Sequence, residues 1–134
     1  MNRSTVGPHE ASALRRTIDE HLARIQELAQ VLQRPYPLLR GTVYENRVKC
    51  GKEGCRCQRG ELHKRWLLSR AEEGRTVLYK VPSEKLAEWQ KLTEEWRAYR
   101  KAVVELKRRL SEMIRVGERL ARSREVEIEK RGGK

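Results

Sequence analysis

Positions Trp89, Leu92, Trp96, Tyr99, Val103, Leu106, Leu110, Met113, Gly117 and Leu120 follow one another at alternating steps of three and four. A run of that length admits one reading, a long helix with an a/d seam that something must cover. Pro82 and Ser83 end the segment before it and offer a cap, with Glu84 in the first turn. The helix is therefore expected over residues 83–124, roughly 60 Å at ~1.5 Å per residue. Gly117 weakens the seam near its end, and residues 125–134 read as a flexible charged tail.

A shorter stripe, Leu14, Ile18, Leu22, Ile25, Leu28 and Leu32, predicts an N-terminal helix over residues 11–34, stopped by Pro35 and Pro37. Residues 1–10 have no periodicity and are expected to be frayed. Antiparallel to the long helix, the N-terminal helix spans roughly 35 Å and meets part of the tryptophan-rich first half. The end from Leu110 to Leu120 then stays uncovered, which predicts a homodimer through the long helix.

The middle of the chain, residues 40–82, changes character. Thr42, Val43, Tyr44 and Val48 favour a strand, Arg65–Arg70 forms a second, and Arg75–Val81 places Val77, Tyr79 and Val81 on one face of a third. Gly74 supplies the positive φ that a short hairpin loop needs. The fold class is therefore α+β: a long helix, a small three-stranded antiparallel sheet with a loop, and a long heptad-patterned helix. This amounts to an antiparallel helical stalk carrying a β head. With 37% apolar residues, 37% charged residues and no phenylalanine, such a head cannot bury a large core and needs a staple.

The staple is legible in Cys50-x4-Cys55-x-Cys57-x5-His63. Three thiolates and one imidazole match the four tetrahedral ligands preferred by Zn²⁺, and an iron–sulfur cluster would call for a fourth cysteine. Gly51, Gly54 and Gly60 lie between them, where a loop wraps tightly around an ion. Lys49, Lys52, Arg56, Arg59 and Lys64 surround the thiolates and are expected to lower their pKa. The competing readings are reduced, unligated cysteines, and a His63 that simply begins the strand. Four protein ligands would close the site, making the ion structural and not catalytic.

The run Arg47–His63 resembles the signature of a widespread family of small, uncharacterised prokaryotic proteins, C-G-K-x-G-C-x-C-x-x-G-x-x-H, followed by an aromatic strand, a hairpin and a long helix. The likeness covers about Val43 to Trp96. It supports the four ligands, and because family members are often encoded beside transposases it implies a mobile-element setting. Family members usually continue with Gly-Pro-Tyr after the histidine, whereas Lys64-Arg65-Trp66 follows here.

Net charge is +12, distributed unevenly. Residues 1–39 carry five basic and four acidic side chains, residues 40–80 eleven and five, and residues 81–134 fifteen and ten. In the head, Arg47, Lys49, Lys52, Arg56, Arg59, Lys64 and Arg65 lie close together, with Tyr44 and Trp66 nearby. Such a patch suits phosphate contact and base stacking, with DNA favoured over RNA. The cations from Arg97 to Arg124 form either a second phosphate-facing surface or the solvated face of a coiled coil.

Other classes find little support. Asp19 is the sole aspartate, and no G-x-S-x-G, G-x-x-x-x-G-K-[ST] or G-x-G-x-x-G is present, so no enzyme and no small-molecule substrate are expected. No apolar run reaches membrane-spanning length, and no apolar block marks a secretory signal, so a cytoplasmic protein without membrane attachment is expected. The expected function is a non-enzymatic, zinc-stabilised nucleic-acid-binding protein, an accessory or regulator of a mobile element. Its rivals are a coiled-coil protein–protein adaptor and a thiol/zinc redox sensor.

Overall fold

Pro8 stands at a position where a helix loses nothing by lacking an N–H, and α1 runs from Pro8 to Leu32. The Ala11 N–H closes the first turn on the Gly7 carbonyl at 2.9 Å, and Glu10 pairs with Arg119. These interactions order Pro8–Glu10, which the sequence alone suggests are frayed. The computed structural model describes residues 6–129, so the first five residues of that expectation and the last five of the charged tail lie outside the described residues. At the other end the Gln33 N–H is shared between the Ala29 and Gln30 carbonyls, both at 3.2 Å, before Pro35 and Pro37 straighten the chain.

The remaining elements are β1 (Thr42–Val48), β2 (His63–Glu72), β3 (Arg75–Lys80) and α2 (Leu86–Arg124), giving the α+β class expected. Two short 3₁₀ turns, Arg56–Arg59 and Ser83–Lys85, precede β2 and α2. Ser83 does not cap α2 as expected. The 3₁₀ turn begins at Ser83 itself, so Pro82 takes the cap position and its carbonyl accepts from the Lys85 N–H at 2.9 Å. No helix among the described residues is long and apolar enough to cross a membrane.

The chain divides into two units, one made of the residues to Gln33 and from Lys101 onward, the other of Arg34–Arg100. In the first, α1 lies antiparallel to the second half of α2, joined by Glu10–Arg119, Arg24–Glu105 at 2.6 Å and His21–Glu112 at 3.5 Å. This corrects the expectation that α1 meets the tryptophan-rich half and lies clear of Leu110 to Leu120: α1 runs beside that stretch, although Leu110 and Ile114 stay exposed. Glu10 carries α1 to Arg119, whereas the extended segment after Pro35 lies beside the earlier part of α2: Arg34 pairs with Glu95 at 3.4 Å, and the Leu39 N–H donates to the Leu92 carbonyl at 3.0 Å. The buried residues also depart from the seam. Ala102 is 4% exposed and the Arg109 Nε is buried, while the seam residue Leu110 is 38% exposed. Arg109 turns inward because α1 offers it a partner: its Nη1 donates to the His21 Nδ1 at 3.2 Å.

Glu105 accepts from Arg24 Nε and Nη2, and these bonds, with the charges of Arg24, Arg109 and Arg108, bring its carboxyl from the usual 4.5 down to about 2. A carboxyl depressed in the fold stabilises it fully above the unfolded value and ceases to do so as pH falls through the folded one. Glu105→Gln should therefore lower the melting temperature at pH 7 and flatten the fall in melting temperature between pH 4.5 and 2. An unchanged acid profile would show that the pair contributes nothing.

In the second unit the strands pair in the order β1-β2-β3, all antiparallel. Glu73 and Gly74 form the whole β2–β3 turn, both with positive φ (51° and 76°), the conformation a two-residue hairpin requires. β2 is central, and its neighbours Leu67 and Leu68, which point to opposite faces, are both buried. Gly41, at φ 139°, lets the chain enter β1 pressed against β2: a Cβ there would lie 2.7 Å from Leu68 Cδ1 and 2.8 Å from the Ser69 carbonyl oxygen. On α2, Thr93 is 1% exposed, its hydroxyl donating to the carbonyls of Trp89 and Gln90.

Candidate metal centre

Strand pairing brings the four candidate ligands together. Val48 ends β1 opposite His63, the first residue of β2, so the loop leaving β1 must return beside the histidine. Cys50 lies just past β1, Cys55 precedes the 3₁₀ turn, and Cys57 sits inside that turn, fully buried. Gly60 closes the turn at φ 102°, a conformation that favours glycine, and its N–H reaches the Cys57 carbonyl at 3.4 Å.

The donor atoms Cys50 Sγ, Cys55 Sγ, Cys57 Sγ and one His63 nitrogen all lie within 4.8 Å of one another. Cys50 Sγ and Cys57 Sγ are 3.5 Å apart, and Cys55 Sγ lies 3.1 Å from His63 Nε2. A tetrahedron with Zn–S near ~2.3 Å and Zn–N near ~2.0 Å has edges of roughly 3.5–3.8 Å, so the four side chains fit a closed Cys₃His ion. The sulfurs are much farther apart than the ~2.05 Å of a disulfide, and all three cysteines are free.

Backbone amides prepare the sulfurs for charge. The Cys50 N–H donates to Cys57 Sγ at 3.3 Å. Cys55 is drawn down from 9.0 to about 6, first by the Cys57 backbone N–H and then by hydrogen bonds with the side chains of Cys50, His63 and Cys57. The leading causes are thus hydrogen bonds inside the loop and not the surrounding lysines and arginines. For Cys50 the Lys52 backbone N–H acts to lower the pKa, but the combined effects of Cys55, burial and Cys57 outweigh it, and the thiol is raised. Of these two thiols, Cys55 is the more readily ionised.

The cations named from sequence surround this loop without forming one surface. Arg47 and Lys64 are paired across β1 and β2 and share a sheet face, whereas Arg65, by strand alternation, points to the other. Arg47 is held by Glu45 at 3.1 Å. Lys49, Lys52, Arg56, Arg59, Lys64 and Arg65 are exposed and, among the described residues, have no carboxylate partner. Trp66 is half-buried and borders a cleft of about 570 Å³ with Lys64, Arg65, Lys80 and Ser83. Lys80 was not legible as part of this region, because it joins the cleft lining only through the β2–β3 pairing that sets it opposite Leu67.

A family model described as a domain of unknown function, DUF6788, matches residues 18–91, a span that contains the whole sheet and all four candidate ligands. No curated protein and no solved structure matches the chain.

Proposed function

The chain belongs to the DUF6788 family, and from that premise and the gathered ligands we propose that it is a zinc-stabilised nucleic-acid-binding protein without catalytic activity. One observation carries the reading: six cations that have no carboxylate partner among the described residues lie on or beside a loop that, with His63, gathers four candidate ligands. Bound zinc would supply a fixed cross-link between the ends of β1 and β2. Lys49, Lys52, Arg56 and Arg59 would meet phosphate oxygens, with Arg47 and Lys64 extending the contact along one face of the strands and Arg65 available on the other. The cleft at Trp66 offers an aromatic edge beside Lys64 and Lys80 for a base or sugar. The mobile-element setting implied by the sequence resemblance favours DNA over RNA and an accessory role. Leu110 and Ile114 remain exposed on α2, and a second copy of the chain is the proposed cover.

Salt titration of binding to duplex DNA, single-stranded DNA and RNA tests this. Lys52→Gln/Arg56→Gln/Arg59→Gln should reduce the log–log salt slope on duplex DNA by about 2.7, at ~0.9 per phosphate contact, with chelator weakening the wild type similarly. Binding without salt dependence, or no binding to any nucleic acid, would refute it.

A further inference from the structure

At the end of the sheet away from the metal loop, the start of β1, the end of β2 and α2 enclose a cleft of about 620 Å³. Four arginines, Arg40, Arg70, Arg97 and Arg100, are among its lining residues. From this arrangement we infer a second phosphate-binding site, one that holds the backbone phosphates of the nucleic acid engaged by the loop. The inference rests on the nucleic-acid reading above and adds to it a separate contact built from residues far apart in sequence.

The charge in the cleft is largely uncompensated. Among the described residues the only carboxylate bonded to any of the four arginines is Glu72, which accepts from Arg70 Nε at 2.7 Å and from the Tyr79 hydroxyl. Arg70 is further fixed over the Tyr79 ring, 5.1 Å from its centroid. Arg40 donates to the Ala71 backbone carbonyl, which orients the guanidinium without neutralising it. Arg97 has no polar partner among the described residues, and Arg100 stacks over the Trp96 ring at 5.7 Å. Arg97 and Arg100 are three residues apart on a helix and so project from the same side.

Neutral donors complete the lining. The hydroxyls of Thr42, Ser69 and Thr76, on the sheet face opposite the Arg70 side chain, have no hydrogen-bond partner among the described residues and stand with Arg40, Arg97 and Arg100 in the lining. Planar guanidiniums with free hydroxyls suit the tetrahedral oxygens of phosphate, which accept bidentate bonds. The volume lies within the range of small-ligand sites, which admits a backbone phosphate with its sugar. Six residues separate His63 from Ser69 on β2, roughly 20 Å at ~3.4 Å per residue. That equals roughly six base pairs at ~3.4 Å each, so one short duplex can reach both sites.

Arg97→Gln/Arg100→Gln tests the site in the full zinc-loaded chain, with zinc content and melting temperature confirming the fold. On a 12-base-pair duplex the expected result is a ~10- to 100-fold weaker affinity near 0.15 M salt and a log–log slope reduced by about 1.8. Affinity and slope equal to wild type would overturn the cleft while leaving the loop as the nucleic-acid site. A wild type that binds no nucleic acid would overturn both. Calorimetric titration with inorganic pyrophosphate separates the phosphate sources. Pyrophosphate binding lost in the variant, with duplex binding unchanged, would assign the cleft to a free phosphate and overturn the backbone assignment.

Discussion

A Cys57→Ser chain is expected to emerge from purification without zinc and with Arg34–Arg100 unfolded at room temperature. Cys57 is the buried member of the ligand set, 0% exposed, accepting the Cys50 N–H and touching the Cys50 sulfur. Serine replaces a soft thiolate with a hydroxyl oxygen that zinc disfavours. A structural zinc contributes ~10–16 kcal/mol in small domains. Burial of Leu67, Leu68 and Val81 contributes ~1.5–3 kcal/mol each, against ~1 kcal/mol or more of backbone entropy for every residue ordered. On the proposed zinc reading, the metal would therefore decide whether the sheet forms. Elemental analysis and the near-ultraviolet dichroism of Trp66, Trp89 and Trp96 read the two losses together. Chelator should produce the same spectrum in the wild type, reversed by added Zn²⁺, which should fail to rescue the variant. A metal-free chain that keeps its sheet signal would show that apolar packing suffices.

Leu68→Ala is expected to destabilise by ~2–5 kcal/mol, a large share of what a unit of this size can hold. Leu68 is 2% exposed on the central strand, and its Cδ1 fills the space where Gly41 lacks a side chain. Truncation leaves a void that Gly41 cannot fill. Leu78, on the edge strand β3, is 54% exposed, so Leu78→Ala should change stability by no more than ~0.5 kcal/mol. Urea unfolding of zinc-loaded protein followed by tryptophan fluorescence measures both. Equal midpoints for the two variants would mean that the sheet has no core of its own.

Much of this molecule was legible because its signals are local. Three cysteines, a histidine and intervening glycines lie within fourteen residues, so spacing alone identified a set that the fold gathers within 4.8 Å. The strands followed from alternation and a glycine turn, although β2 begins at His63 and ends at Glu72, beyond Arg65–Arg70, because cross-strand hydrogen bonds extend it past its apolar residues. What was hidden depends on partners distant in sequence. The heptad pattern marked Leu110 as buried, but His21 on α1 draws Arg109 inward. The arginine cleft collects Arg40, Arg70, Arg97 and Arg100 from three separate stretches, and no spacing rule links them. Pro8 as a helix start was available in the sequence, and the lack of apolar periodicity before Ala11 obscured it.

The ion pairs between α1 and α2 also restrict how those helices can align. Glu10 with Arg119 and Arg24 with Glu105 fall on one antiparallel alignment. Sliding α1 one heptad along α2 in one direction would set Glu10 against Glu112 and Arg24 against Ala98, two acids together and a cation without a mate. Sliding it the other way would set Arg24 against Glu112 but carry Glu10 past Arg124, where α2 has ended, so that one of the two pairs is lost. Leucines and isoleucines at heptad spacing accept either displacement almost equally well. The charged residues therefore act as a key: their main contribution is to make one alignment of the two helices much better than its neighbours.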